Sequence, residues 1–392
     1  MKILFVVPNY EPAWAFGGVA RCISTLCRGL AGLGEEVTVY TTNVDGRGKF
    51  LSVTPGEAAN VGGVTVRYFS STFGPGSDWD SRDMVHVLER EIKDFDIVYV
   101  SATWHWIGVS LAGIAGKHNV PYVVGLHGGF HPNALKKGWL KKFIWRKLFL
   151  KKYLEGAKAL IFSTEYEEQS SKKFVPQNVK RIVVPNSLSI EEKSLLDMNS
   201  LDIRGEYGII HDSFLLVTVS RPDPAKRVDV LLKSFKKVLK DIPDASLLMV
   251  GDFENSYGRR MKKLAEDLEL SQRVFWAGHL TGEALNSCYK ASDLFVLTSA
   301  HENFSMATAE AMISGLPVVV SRHVGIAGDI EKNGAGVVVD LEEEKIAEAI
   351  ISLEKDANKQ KEMGRKAEET AQELYGAEQV ARKMLDVFKK AI

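Results

Sequence analysis

The sequence predicts an α/β protein of two consecutive doubly wound domains, and three observations carry that prediction. Short runs rich in Val, Ile and Leu alternate with longer amphipathic segments along the whole chain, the rhythm of β-α units that build parallel sheets. The runs are apolar throughout instead of alternating, as strands covered on both faces are. At 392 residues the chain has room for two or three domains of roughly 150 residues each. In the first half, strands are expected at Lys2–Val7, Glu36–Thr41, Thr65–Phe69, Ile97–Ser101, Pro121–Gly125, Ala159–Ser163 and Arg181–Val184. A second series follows at Phe214–Ser220, Ala245–Val250, Arg273–Ala277, Leu294–Thr298, Pro317–Ser321 and Gly336–Val339. The boundary falls at Val184-Pro185-Asn186-Ser187-Leu188, where a strand ends in a turn-forming pair ahead of a polar segment. A hinge there would leave a cleft between the domains. Helices at Glu342–Lys355, Lys359–Leu374 and, beyond Gly376, Gln379–Lys390 complete the chain.

Composition narrows the function classes. Apolar residues make up 45% and charged residues 26%, which excludes a disordered, collagen-like or disulfide-scaffold chain. Fifty Lys and Arg cancel fifty Asp and Glu, so no global basic field points to nucleic acid. Cys22, Cys27 and Cys288 are an odd set without metal-site spacing, as expected of buried thiols in a reducing compartment. The apolar run Ile3–Val7 is too short for a signal-peptide core, and no uncharged apolar run approaches eighteen residues. A cytoplasmic location without a membrane span is the expectation.

Three stretches carry chemistry. The first is Gly17-Gly18, which opens a helix expected over Val19–Leu33. Two glycines there let a ligand approach the free N–H groups of a helix start, a setting for an anion, although a plain helix-start turn reads the same. The G-x-G-x-x-G of a dinucleotide site is absent after the opening strand, which argues against an oxidoreductase. The second is Ser220-Arg221-Pro222-Asp223-Pro224-Ala225-Lys226, at the carboxyl end of a strand. Arg221 as a fork and Lys226 as a point charge can converge on a diphosphate; a solvated loop is the alternative. The third is Ser299-Ala300-His301-Glu302-Asn303-Phe304-Ser305, ahead of a helix expected over Met306–Ser314 and capped by Ser305. Its N–H groups suit phosphate oxygens, and Glu302 and Glu310 stand eight positions apart, able to accept from hydroxyls of a hexose and a ribose. Glu310 is the one charge among Met306, Ala307, Ala309, Ala311 and Met312, costly if buried without a partner.

This Glu302…Glu310 spacing, followed by Gly315-Leu316-Pro317-Val318-Val319, resembles the E-x7-E motif of retaining GT-B glycosyltransferases of family four, of the bacterial cell-surface polysaccharide type. The resemblance runs from Gly17-Gly18 through Val184-Pro185-Asn186, Arg221…Lys226 and Val250-Gly251 to that motif. It implies GT-B architecture, with two Rossmann-like domains facing across a cleft. Residues 1–187 would form the acceptor-binding domain and 188–375 the nucleotide-sugar domain, with the last helix, about 376–392, packing back on the first. It also implies roles. Gly17 and Gly18 would approach the donor phosphate or acceptor, Arg221 and Lys226 would hold the diphosphate, and the backbone at Ser305 and Met306 would bind it from the helix start. Glu302, with Asn303 and Phe304 beside it, would meet the donor sugar and Glu310 the ribose, while the base would sit near Gly251 and Leu280. Arg227 departs from the family's frequent glycine after the lysine, and Asn303 and Ser305 stand where glycines are common.

His127, just past the strand Pro121–Gly125 and followed by Gly128-Gly129, could hydrogen-bond the donor sugar or help position the acceptor, a reading the family's equivalent histidine supports although the family often has an acidic residue where this chain has Gly128; a structural histidine is the alternative. His131 is a weaker candidate in the same loop. In the retaining reaction the resemblance implies, attack comes from the face the diphosphate leaves, and stabilising that leaving group carries most of the catalysis. Asp78-Trp79-Asp80 and Asp94-Phe95-Asp96 both read D-x-D, but capping and strand entry account for them, so no metal and no other cofactor is expected.

Residues 136–154 hold eight cations and no acid, interleaved with aromatic and aliphatic side chains. Lys136, Lys137, Trp139, Lys141, Lys142, Trp145, Arg146 and Lys147 would suit an anionic membrane surface. Alternatively, Leu140, Ile144 and Leu148 pack on the sheet and the cations are solvated. The reading is a cytoplasmic, peripherally membrane-associated, metal-independent hexosyltransferase. Its donor is a nucleoside diphosphate sugar, best taken as UDP-glucose, and its acceptor a lipid-linked or growing polysaccharide, with no nucleic-acid partner. Its rivals are a nucleotide-sugar epimerase or hydrolase of the same architecture and a non-catalytic sugar-nucleotide-binding module.

Overall fold

The computed structural model describes residues 1–392 apart from 14–16, 47, 72–79, 131–134, 136–137 and 189–200, and for Lys141 the backbone alone. The chain forms two compact units: Met1–Ser187 with Ala377–Ile392, and Leu188–Gly376. Each is an α/β Rossmann-like domain built on a parallel sheet.

The first unit carries β1 (Lys2–Val6), β2 (Glu36–Thr42), β3 (Ala58–Val61), β4 (Val64–Phe69), β5 (Ile97–Val100), β6 (Tyr122–Gly125), β7 (Ala159–Phe162) and β8 (Lys180–Val183). Their order in the sheet is β3-β4-β2-β1-β5-β6-β7-β8. All neighbours run parallel except β3 and β4, which form a hairpin. The hairpin turns at Gly62-Gly63 with φ of 60° and 85°, the doubly left-handed backbone that two-residue turns require and glycine supplies. Strand β3 was not among the expected strands. Ala-Ala-Asn-Val is a poor strand former, and its residues lie at the exposed sheet edge. The helices Gly18–Gly32 and Ala377–Ala391 pack so closely that a Cβ at Gly29 would sit 2.9 Å from Ala381 Cβ. Phe388 of the latter helix meets Phe5 of β1 ring to ring at 6.2 Å.

The second unit holds β9 (Leu215–Val219), β10 (Ser246–Val250), β11 (Val274–Gly278), β12 (Leu294–Leu297), β13 (Val318–Ser321) and β14 (Gly336–Val339). Their order is β11-β10-β9-β12-β13-β14, all parallel. Side chains alternate between two cores, so the sheet is covered on both faces. Leu215, Val217, Leu248 and Val250 enter one core, and Leu216, Leu247 and Met249 the other.

Both sheets reverse direction beside their first strand. The chain proceeds outward from β1 to β2 and β4 and returns on the other side with β5; likewise it runs β9 to β10 to β11 and returns with β12. The crevices beyond the carboxyl ends of β1 and β5, and of β9 and β12, are therefore the switch points where open α/β sheets bind ligands.

Candidate functional site

In the second unit the loops after β9 and β12 are fastened together at the switch point. Ala300 N donates to Ala225 O at 2.7 Å, and Thr298 Oγ1 lies 3.2 Å from Lys226 O and 3.1 Å from Arg227 O. This brings Lys226 and Glu302 into a direct ion pair. The Glu302 backbone is itself fixed, because its N–H donates to His323 O at 3.0 Å. A Cβ at Gly325 would stand 1.9 Å from Asn303 O, so only glycine lets the two segments lie together. Arg221 is exposed and makes no ion pair or hydrogen bond among the described residues, which leaves its fork available.

The helix Met306–Ile313 starts at this loop. Ser305 caps it, its Oγ accepting from Thr308 N at 3.3 Å. Ser305 does so at φ 86°, and Arg227 lies at φ 49°. Both are left-handed, a backbone that costs a non-glycine residue about 1–2 kcal/mol. That explains why glycines are common at the matching positions of the family the sequence resembles. The serine regains part of the cost as a cap, while Arg227 pairs with Asp229 at 3.0 Å. One turn further, the buried Glu310 carboxylate accepts from Tyr289 OH at 3.1 Å, which supplies a partner for the lone charge of this apolar helix.

Among the other expected donor-site residues, Gly251 packs against the chain before Arg221. Its φ is 149°, and a Cβ there would stand 2.1 Å from Ser220 O. Asn255 Nδ2 donates to Pro222 O at 2.9 Å and so anchors the Arg221 loop. Leu280 is half-buried against the core. Met306 is half-buried too, whereas the Phe304 ring is buried against Tyr375 at 5.1 Å. Phe304 therefore has only backbone to offer a ligand. Asn255 and Tyr289 were missed in the sequence; Asn255 alone carried a local signal, as an Asn ahead of a helix start.

In the first unit Gly17, at φ 80°, and Gly18 are exposed at the start of the helix Gly18–Gly32. His127 follows β6 with φ 41° and points Nε2 to Tyr99 OH at 2.7 Å. Burial pushes its pKa below the ordinary value, against the raising influence of the Glu167 charge. Glu167, 1% exposed, accepts from Gly128 N, from Ser163 N at 2.7 Å and from Ser163 Oγ at 2.8 Å, and so anchors the His127 loop. It stands at the third position of the helix capped by Thr164. The Thr-x-x-Glu spacing of a capping box was the signal available for it. His127 lines a cavity of about 210 Å³ with Asn9, Ser101, Thr103, Trp104 and Leu126, at the β1/β5 switch point.

The basic stretch departs from a single helix. It consists of α-helix Trp139–Trp145, a π-helical turn Arg146–Leu150 and α-helix Lys151–Glu155. Leu140, Ile144 and Leu148 do not pack on the sheet: they are exposed, Leu148 at 65%, beside exposed Trp139 and Phe143. Leu150, Tyr153 and Leu154 hold the segment to the core instead. Trp145, expected at the outer surface, packs inward on Trp106 at 4.5 Å and Phe149 at 5.1 Å. Lys142 lies over the Trp104 ring, and Arg146 and Lys147 over Phe143. Lys136, Lys137 and His131, like Asp78 and Trp79 of the first D-x-D, lie outside the described residues. Asp80 accepts from Ile107 N at 2.8 Å and Asp96 from Lys2 N at 2.7 Å.

Comparison with known proteins gives this geometry a family. Residues 16–192 match Glycosyltransferase Family 4, and residues 199–370 match Glycosyl transferases group 1. The chain is a group 1 glycosyltransferase. An uncharacterized glycosyltransferase of Methanocaldococcus jannaschii is 25% identical over 413 aligned positions, covering 100% of this chain and 99% of that one. The D-inositol 3-phosphate glycosyltransferase of Thermomonospora curvata is 25% identical over 373, covering 88% and 84%. The fold of this glycosyltransferase matches GT-B structures. Anabaena HepE in complex with UDP superposes with a TM-score of 0.75 at 18% identity over the full length of both chains. The same protein with UDP-glucose gives 0.73 at 18% identity, again over the full length of both. Family and fold support a GT-B enzyme with a sugar-nucleotide donor.

Proposed function

We propose that this glycosyltransferase is a retaining, metal-independent hexosyltransferase that moves glucose from UDP-glucose to a lipid-linked or growing glycan at a membrane surface. The observation that carries the reading is the β9/β12 switch point. It gathers Arg221, Lys226, Glu302 and the start of the helix that bears Glu310. A diphosphate entering there would exchange Lys226 from Glu302 to phosphate oxygens, joined by the Arg221 fork and the free N–H groups of the helix start. The exchange would release Glu302 to accept from sugar hydroxyls, and Glu310 would accept from the ribose. Charge developing on the leaving diphosphate meets these preoriented groups, which supplies the stabilisation acyl and phosphoryl enzymes draw from similar donors. Neutral His127 offers the sugar or acceptor a hydrogen bond. UDP-glucose is favoured because a fold neighbour binds UDP and UDP-glucose.

Membrane association draws support from the exposed Trp139, Leu140, Phe143, Ile144 and Leu148 set among Lys142, Arg146 and Lys147. Apolar groups with cations beside them bind the interface of anionic lipids. Among the described residues no helix is long and apolar enough to cross a membrane.

The test is a thermal-shift panel of UDP, GDP and ADP with their sugar conjugates, each with and without EDTA. A ligand at a hundred times its Kd stabilises by about 2.7 kcal/mol. Stabilisation confined to the uridine ligands and indifferent to EDTA is expected. A response to GDP-mannose alone would replace the donor, and one abolished by EDTA would overturn metal independence. The anomeric configuration of the product, read by NMR, decides retention.

A further inference from the structure

Tyr99 sits inside β5, buried, and its hydroxyl reaches His127 Nε2 across to the end of β6. The backbone is shaped around this contact. A Cβ at Gly125 would fall 1.9 Å from the Tyr99 hydroxyl and 3.0 Å from His127 Nε2, so any side chain there would break the pair. Burial holds the phenol protonated far above its usual range, and it has a proton to place. His127 Nε2 is the acceptor that meets it among the described residues. A buried hydroxyl that leaves its proton unused costs about 1–3 kcal/mol, so Tyr99 donates and Nε2 accepts. An imidazole kept neutral by burial, with Nε2 accepting, carries its proton on Nδ1. That Nδ1 is buried and has no partner among the described residues. Asn9 Nδ2 is in the same condition, and both residues line the cavity of about 210 Å³.

We propose that Tyr99 is a positioning residue that fixes His127 in the Nδ1–H tautomer. His127 and Asn9 then hold two unpaired N–H donors beside this cavity, which an accepting oxygen of a sugar could satisfy. His127 does not serve as a proton acceptor, because its lone pair on Nε2 is occupied by Tyr99. The value of this donor to catalysis rests on the transferase reading above, but the tautomer itself is measurable without substrate.

The experiment uses full-length protein with 15N-labelled imidazoles. Its nine histidines are resolved by two-bond 15N–1H correlation at neutral pH, and His127→Asn identifies the signal. The expected spectrum shows a pyrrole-type Nδ1 and a pyridine-type Nε2 for His127 in the wild type. Tyr99→Phe should move it toward the Nε2–H form or an exchange mixture, which a merely structural role for Tyr99 would not do. A wild-type His127 protonated at Nε2 or at both nitrogens overturns the proposal, as does a Tyr99→Phe spectrum identical to the parent. Should Tyr99→Phe fail to fold, the wild-type spectrum still decides. The expected spectrum in a protein that does not bind UDP-glucose would uphold the tautomer and overturn the donor reading instead.

Discussion

The two domains share the strand order around their switch points but equip those points in opposite ways. In the first, His127 is uncharged and held by groups that cannot easily let go: the buried Tyr99 hydroxyl and, through Gly128, the buried Glu167. In the second, the principal groups are charges, and Lys226 and Glu302 are held by each other. A neutral donor in a fixed network costs nothing to reorganise when a ligand arrives. The Lys226–Glu302 pair still reaches solvent, at 17% and 23% side-chain exposure, so each partner can turn to an arriving ligand. On the proposed reading, the first domain orients and the second exchanges.

That contrast is breakable from either side. The largest effect is expected from Lys226→Ala, which removes the cation proposed to meet the leaving diphosphate and should cut kcat by roughly 10²–10³. Its unfolding free energy should stay within about 1 kcal/mol of the parent; a parallel fall in stability would mean that the pair is structural. Glu167→Gln should do the reverse in the first domain. An amide NH2 would be turned against groups that now donate to a carboxylate, and denaturant titration should register a loss of about 2–4 kcal/mol.

Next come the exposed apolar residues. Leu148→Ser and Ile144→Ser touch neither site, and each should weaken binding to phosphatidylglycerol vesicles by roughly tenfold, with thermal stability unchanged. Binding unaffected by both, measured by flotation, would sink the membrane reading. The pH response is smaller. Burial lowers the pKa of His127 in the folded state, so the unfolded chain takes up its proton first, near pH 6.5, and stability should decline as the pH falls below that value. His127→Gln should flatten the decline only in part, because burial lowers His105 in the same direction. Least of all, Ser305→Gly should change stability by less than about 1 kcal/mol, since relief of the left-handed strain offsets loss of the cap.

Much of this was legible in the sequence, for reasons that differ by element. Strands such as Leu294–Leu297 and Val318–Ser321 are continuous apolar runs flanked by turn residues, and a doubly covered strand leaves no other pattern. Strand β3 escaped because an exposed edge makes few demands on its residues, although Gly62-Gly63 marked the hairpin. The glycine departures at Arg227 and Ser305 were visible in the chain, but their meaning needed φ. Tyr99 and Glu167 could not be singled out as a pair. One is an aromatic inside an apolar strand and the other an acid on a short helix, and their common object, His127, is 28 residues from the tyrosine and next to a glycine 39 from the glutamate. The basic stretch shows the opposite limit: its charge was plain, but which apolar groups it exposes was not, because a π-helical turn at Arg146–Leu150 interrupts the α-helical period there, and Trp145 and Leu150 face the core.

All three cysteines are buried, and burial pushes the thiols of Cys22 and Cys288 up to about 12, with Cys27 also raised. Maleimides react with thiolates, which these sites hardly supply near neutrality. The native protein is therefore a nearly silent background for site-directed labelling. A single cysteine introduced at position 148 would take an environment-sensitive fluorophore almost alone, giving a direct optical report of contact with lipid.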